Sequence, residues 1–470
     1  MAVQYYEGEQ KKRPGVYQRE TNTGFNTPSG SQDGICAIPV QASWGPLGAV
    51  VKNTIVSELK KNYGAGTYGT GYTVPAAEAL FNGGASVVYT YRLGTGGAKA
   101  KKTHGTLTVE AKHVGTMPIS VAVQAKLGDA TKKQLLVYAD GKLVETWDFA
   151  AGTAEGAALI AAAKNSAYVT ITGEAETVEV LAVASGALEG GENPTVTNED
   201  YSTAFNAMEQ YYYNTIALDV DDDENLTLSL LLVEYLKNAY KLGKAGIAVV
   251  GEKTSVAFDT RCTHAAAFNS RQTVYLGNGY RDAAGEAVEG ALAICYTAGV
   301  IAATPSNRGI THTVVSGATD LLESLTFAQY EQAIDNGMLL FSMSPDGQIW
   351  YDSAITTLVA PEAVDLDHGW KKIRRTKVRF EMFDRIDRAL APKVGRITND
   401  TDGIADIIQT GQRVLTDMMS EGKLAAGATF VADDANPASG DSAWFIIQAD
   451  DLDSLEKIYL HYQFRYSQNA

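Results

Sequence analysis

The stretch TIALDVDDDENLTLSLLLVEYLKNAYKLGKAGIAVV, Thr215 to Val250, carries the pattern on which the fold turns. Thr215 to Leu218 is a short apolar run of the kind that forms a buried strand. From Leu226 to Leu242 the apolar residues recur at three- and four-residue spacing, as on an amphipathic helix. Gly246 to Val250 is a second short apolar run. Strand, helix and strand in that order predict a βαβ unit, whose strands lie parallel with a right-handed crossover.

Working toward the N-terminus, Ile35 to Val40 predicts a strand, followed by turn residues in Trp44 to Gly48. Short helices are expected over Ser57 to Tyr63 and over Pro75 to Phe81, the latter with proline at its first position. A buried strand, Ala85 to Leu93, closes this block. GTGGAKAKKTHG (Gly94 to Gly105) and SGALEGGENP (Ser185 to Pro194) read as flexible linkers. Between them, Thr106 to Val183 is rich in Val, Thr and Ala, with Asp140-Gly141 as a hairpin signal and one helix from Glu155 to Lys164. This predicts an inserted, mostly-β domain.

Toward the C-terminus, Thr326 and Gln329 form a capping box for a helix ending at Asn336-Gly337. Met338 to Met343, the turn Ser344 to Gly347 and Gln348 to Tyr351 predict a hairpin. A helix follows from about Thr401 to Glu421, then strands at Trp444 to Gln448 and Lys457 to Tyr466. The last of these puts Ile458, Leu460, Tyr462, Phe464 and Tyr466 on one face and Lys457, Tyr459, His461, Gln463 and Arg465 on the other. The first 20 residues have no helical period and predict an extended arm. The expected organisation is a mixed α/β, multidomain chain: an arm (1–20), a core in two parts (21–103 and 196–345), the inserted domain (104–195) and a C-terminal domain (346–470).

With 55 acidic against 39 basic residues in 470, the net charge of −16 argues against a general nucleic-acid binder. Three cysteines, Cys36, Cys262 and Cys295, with no CxxC argue against a disulfide framework or a structural zinc site. MAVQYYEGEQKKRPGVY has no apolar signal region, and Ala287 to Ala303 is too short and too polar to span a bilayer. A protein made and kept in the cytoplasm, unless it leaves by lysis, is expected.

Gly64, Gly66 and Gly69 spell G-x-G-x-x-G, but the motif follows a helix rather than a strand, so dinucleotide binding is not expected. Asp219, Asp221, Asp222, Asp223 and Glu224 follow the first strand of the βαβ unit, where open sheets bind ligands. With Glu252 they could hold Mg²⁺, as in a Mg-dependent hydrolase; the alternative is that they cap the next helix. No histidine pairing, GxSxG serine or activated cysteine is present, so the residues offer no convincing catalytic constellation and no cofactor is expected. Lys371 to Arg396 holds ten basic residues and three acidic ones on an otherwise acidic chain. Such a run is a solvated face or a dock for an acidic surface, with nucleic acid the weaker option because aromatic interleaving is poor and the surrounding field negative. The 24 tyrosines against 13 phenylalanines suit either interfaces or a large core.

RPGVY (Arg13 to Tyr17), GICAIPVQASWGPLG (Gly34 to Gly48), SELKKNYG (Ser57 to Gly64) and AEALFNGGASVVYTYRL (Ala77 to Leu93) form an ordered series. LTFAQYEQAIDNGMLLFSMSPDGQIWYDSAITTL (Leu325 to Leu358) and KKIRR (Lys371 to Arg375) continue it. In order and spacing the chain resembles contractile phage tail sheath proteins, with Thr106 to Val183 as a variable insertion. Thr356 departs from the Asn frequent in relatives at an Ile-Asn-Thr turn. The resemblance implies a structural subunit, not an enzyme, stacked as hexameric rings around an inner tail tube protein and shortening to drive that tube through a cell envelope. It implies self-association, baseplate and tail terminator partners, no nucleic acid or membrane insertion, and a place in a virion tail or phage-tail-like particle. It also implies arms that cross between subunits, here Arg13, Pro14, Gly15, Val16 and Tyr17 and the strand bearing Ile458, Leu460, Tyr462 and Phe464. On this reading Lys371, Lys372, Arg374, Arg375 and Arg379 face the tube or an acidic neighbour. A non-contractile scaffold would share the arms but form no hollow cylinder.

Overall fold

Short runs of small and β-branched apolar residues have no face to offer water, so they are central strands covered on both sides. A computed structural model of the chain describes residues 3–4, 17–18, 32–173, 186–360 and 367–465. Its main sheet orders the strands Met338–Leu339, Thr273–Leu276, Ile247–Gly251, Thr215–Ala217, Ile35–Val40, Val87–Arg92 and Val50–Asn53. Neighbours pair parallel except the last two, which are antiparallel. The βαβ unit forms as the sequence predicts, with helix Thr227–Lys241 between Thr215–Ala217 and Ile247–Gly251.

One face of the sheet packs on helices Val56–Tyr63, Val74–Asn82 and Ala291–Ala303. The Ala291–Ala303 helix is buried all round, which explains its uninterrupted apolar run. It crosses the end of Val74–Asn82 so tightly that a Cβ on Gly83 would lie 2.2 Å from the Tyr296 carbonyl, and one on Gly299 2.2 Å from the Leu80 carbonyl. The other face packs on Asn198–Met208, Thr227–Lys241, Phe258–Phe268 and Phe327–Asp335. Thr326 and Gln329 make the expected capping box. No helix among the described residues is long and apolar enough to cross a membrane.

The predicted hairpin is divided between two sheets. Met338–Leu339 joins the edge of the main sheet, while Phe341–Met343 pairs with Ile349–Tyr351. Phe341, Ile349 and Tyr351 belong to the main core, so the core extends past residue 345. Thr356 settles its loop without an asparagine: its N–H reaches the Lys371 carbonyl at 2.8 Å and its hydroxyl the Trp370 carbonyl at 2.9 Å.

Among its described residues the insertion has two three-stranded sheets and a separate apolar cluster that includes Val109, Val121, Leu135, Val137, Phe149 and Leu159. Asp140 and Gly141 both have positive φ, 49° and 72°, as the tight hairpin turn between Lys132–Ala139 and Lys142–Ala150 requires. The two segments expected to be slack are paired instead. Bridges Thr95↔Thr195, Ala98↔Glu192 and Lys101↔Glu189 zip them together, because two glycine-rich strands entering side by side can satisfy each other's backbone groups.

A buried arginine braces this neck. Arg92 donates to the carbonyls of Ala42 (2.8 and 3.1 Å), Gly45 (2.8 Å) and Val114 (2.9 Å), joining the main sheet to the insertion. Trp44, from the core side, is buried in the insertion's cluster, stacked on Tyr168 and edge-on to His113. Burial, helped by the Arg92 charge, pulls His113 down to about 4.

Past residue 370 the chain adds helices Ile373–Leu390, the basic helix, and Thr401–Ser420, packed through Val378, Val414, Leu415 and Met418. Lys377 is buried and donates to the carbonyls of Ile301 (2.6 Å) and Thr304, at the end of the Ala291–Ala303 helix where carbonyls lack helical partners. Burial lowers its pKa to about 8. Glu381 accepts from Ser306, Lys423 (2.6 Å) and Arg385 (2.5 Å), and Arg385 also grips Glu421 with two bonds of 2.7 and 2.8 Å.

Candidate assembly interface

Outside the carboxyl ends of parallel strands, where the strand order reverses, open α/β sheets bind their ligands. Here the reversal lies between Ile35–Val40 and Thr215–Ala217, and this chain fills the crevice itself. The Asp219 carboxylate, fully buried, accepts from Tyr201 at 2.8 Å and from the Thr73 hydroxyl. Thr73 in turn accepts from the Gln41 N–H at 2.8 Å, and Tyr68 donates to the Asp219 carbonyl. Glu252 is occupied separately by His264 and Tyr275. Asp222 accepts from the N–H groups of Leu228 and Ser229, and Asp223 from that of Thr227, so these two cap the helix. Asp221 holds Lys253 and the Ala291 N–H. Asp219 and Glu252 thus have different partners, the opposite of the convergence a Mg²⁺ site requires.

Burial pushes Asp219 up to about 6 against the lowering effect of its hydroxyl donors. Its folded pKa exceeds the ordinary aspartate value of 3.8, so the native state holds a proton that the unfolded chain releases. Stability from this group is complete below about pH 4 and is lost as pH rises to about 6, by ~3 kcal/mol in all. Urea titrations between pH 4 and 7 should show this slope in the wild type and not in Asp219→Asn.

The basic segment is turned inward. Arg375 binds Asp451 with two bonds (2.5 and 3.0 Å), and Arg379 binds the same carboxylate at 2.8 Å as well as Asp367. Arg374 donates to Ser454 at 3.1 Å; Lys372 pairs with Glu456, which also accepts from Thr311. Burial alone would raise the Asp451 pKa, but the two arginines hold it below the usual carboxylate value. Arg379 and Arg271 lie 4.5 and 4.4 Å from the Trp370 ring, and Arg271 is also 4.7 Å from Tyr240. Four of the five basic residues read as facing a partner are therefore bound to the root of this chain's own C-terminal segment. Lys371 has no such bond to it.

That segment is the predicted last strand, but residues 457–465 form no strand and join no sheet among the described residues. Ile458, Leu460, Tyr462 and Phe464 are 68–92% exposed, which is a cost in water for four large apolar side chains. Nearby, Thr429–Ala432 and Phe445–Gln448 form an isolated two-stranded ribbon. Its outward face shows Val431, Trp444 and Ile446. On one edge Gln412 takes the Phe430 N–H at 2.9 Å; the edge of Phe445–Gln448 has no ladder partner among the described residues. Two-stranded ribbons are marginal by themselves and invite a third strand. In the N-terminal segment, Arg13 to Val16 lie outside the described residues, and Tyr17 stands in a strand, Tyr17–Gln18, parallel to Val3–Gln4.

The sequence reading missed Asp451 and Glu456. Their signal was there: from Leu424 to Glu456 the chain has seven carboxylates and no Lys or Arg, whereas KIYLHYQFR (457–465) has no carboxylate. Many tyrosines serve the core, as Tyr63, Tyr201, Tyr213, Tyr275 and Tyr351 are buried. Cys36, Cys262 and Cys295 are buried too, and burial raises the thiol pKa of each.

Residues 195–357 match the family model of the phage tail sheath protein central domain. The Bacillus subtilis phage-like element PBSX protein XkdK is 24% identical over 477 residues, 97% of each chain. The sheath tail protein of Desulfitobacterium hafniense shares the fold, with a TM-score of 0.70 at 21% identity over 93% of this chain and all of that one. The anti-feeding prophage helical sheath in its contracted state does so at 0.53 and 12%, over 97% and 99%. The resemblance to contractile tail sheath proteins is borne out, and with it the mixed α/β fold.

Proposed function

We propose that this chain is the structural subunit of a contractile tail sheath, stacked in hexameric rings around an inner tube and shortening to drive that tube through a cell envelope. The observation that carries the reading is the alternating arm beside a ribbon with one open edge, on a chain matched by a tail sheath domain. The arm of one subunit adds to the Phe445–Gln448 edge of the next, main-chain hydrogen bonds giving affinity and Ile458, Leu460, Tyr462 and Phe464 giving register. Arg13 to Tyr17 forms the second crossing arm. Head-to-tail contacts that do not close produce a helix of open length. Contraction then exchanges one subunit packing for another, with the arms as tethers and no nucleotide consumed. Tube, baseplate and terminator proteins complete the tail of a virion or phage-tail-like particle, built in the host and freed by lysis.

Electron microscopy of the chain mixed with its tube protein tests this. Sheathed tubes are expected from the full chain and bare tubes from variants lacking residues 1–20 or 457–470. Sheathed tubes from both truncated variants would overturn the reading.

A further inference from the structure

An arm that fits a neighbour's ribbon also fits its own. Only residues 449–456 separate Gln448 from the arm, and a loop of that length closes at little entropic cost. Tethered so closely, the arm would meet its own ribbon at an effective concentration of about millimolar, roughly a thousandfold above micromolar neighbours. Charge favours the match as well, since the ribbon's stretch is acidic and the arm carries Lys457 and Arg465 without a carboxylate. Yet residues 457–465 of the arm are exposed and join no ladder among the described residues.

The connecting residues show why. Asp451 is gripped by Arg375 and Arg379, Ser454 by Arg374, and Glu456 by Lys372 and Thr311. Leu452 donates to the Lys423 carbonyl at 3.0 Å, and Asp450 accepts from Ala425 at 2.8 Å. With Asp451, Ser454 and Glu456 pinned at the basic helix and Asp450 and Leu452 at residues 423–425, residues 449–456 cannot make the reversal that fold-back requires. We propose that the basic helix is a latch that holds the C-terminal arm away from its own ribbon, so that the ribbon stays open for a second copy of the chain. Asp451 and Glu456 are its positioning residues. The proposal rests on the reading that the ribbon accepts an arm.

The test uses the full chain and the double variant Asp451→Asn/Glu456→Gln. In monomeric samples, hydrogen exchange of amides 458–464 is expected to be fast in the wild type and slowed at least about tenfold in the variant, which folds back. The concentration needed for assembly should rise by a similar factor. A merely loosened root would leave those amides fast, and that result overturns the latch. Thermal melts of both chains, with the arm-less variant as reference, separate fold-back from global unfolding. A peptide of residues 456–470 added to the chain lacking them tests the underlying reading: no binding sinks strand addition itself, whereas binding together with fast amides in the double variant sinks only the latch.

Discussion

Glu381→Ala is expected to destabilise the C-terminal helices by about 3–5 kcal/mol. Three donors converge on this carboxylate, and two of them, Arg385 and Lys423, have side chains only 6% exposed. Removing the carboxylate leaves two cations in a poorly solvated site with only Glu421 to share. That penalty is much larger than the net worth of the intact network, because desolvating charges already cancels most of their attraction. The comparison that isolates it is the triple replacement Glu381→Leu, Arg385→Met, Lys423→Met, which should recover most of the loss. Urea unfolding of both variants gives the answer. Equal losses would mean that the network, rather than its uncompensated remnant, carries the stability.

Arg92→Leu comes next, at roughly 3 kcal/mol or more, since three carbonyl oxygens lose their donors in a buried site where each costs about 1–3 kcal/mol. Burial lowers the Arg92 pKa to about 10, which still leaves the guanidinium charged near neutral pH and in need of its carbonyl acceptors. Arg92→Lys should rescue little, because a compact ammonium cannot span acceptors that the planar guanidinium reaches together. Beyond the change in melting, limited proteolysis should begin cutting in 94–105 and 186–195, which the wild-type neck protects. Neck segments that stay resistant in Arg92→Leu would show that the backbone pairing suffices alone.

What the sequence revealed and what it hid divides along distance. The βαβ unit, the Asp140-Gly141 turn and the Thr326–Gln329 box were legible because each is written in one contiguous stretch of chain. The glycine-rich Gly94 to Gly105 looked slack because its partner strand begins some ninety residues later, as the Thr95↔Thr195 bridge shows. The basic segment looked like a free patch for the same reason: the counter-charge of Arg375 is 76 residues away. Alternation in Lys457 to Tyr466 predicted a two-faced strand, but residues 457–465 form none, because no partner for them lies among the described residues. The acidic run at Asp219 to Glu224 was ambiguous in sequence; burial and the hydroxyls of Thr73 and Tyr201, supplied by distant segments, decide it.

The paired neck has a mechanical meaning. One of its strands leaves the main sheet after Arg92 and the other returns from the insertion to the helix Asn198–Met208, so a pull on the insertion travels down two covalent chains side by side and does not slide one past the other. The cross-bridges then act as the rungs of a truss, stiff against bending in the plane of pairing, with the Arg92 guanidinium as a gusset at the base. A fluorophore or a fused peptide at the Asp140-Gly141 tip would therefore turn with its subunit, making that hairpin a pointer to subunit orientation.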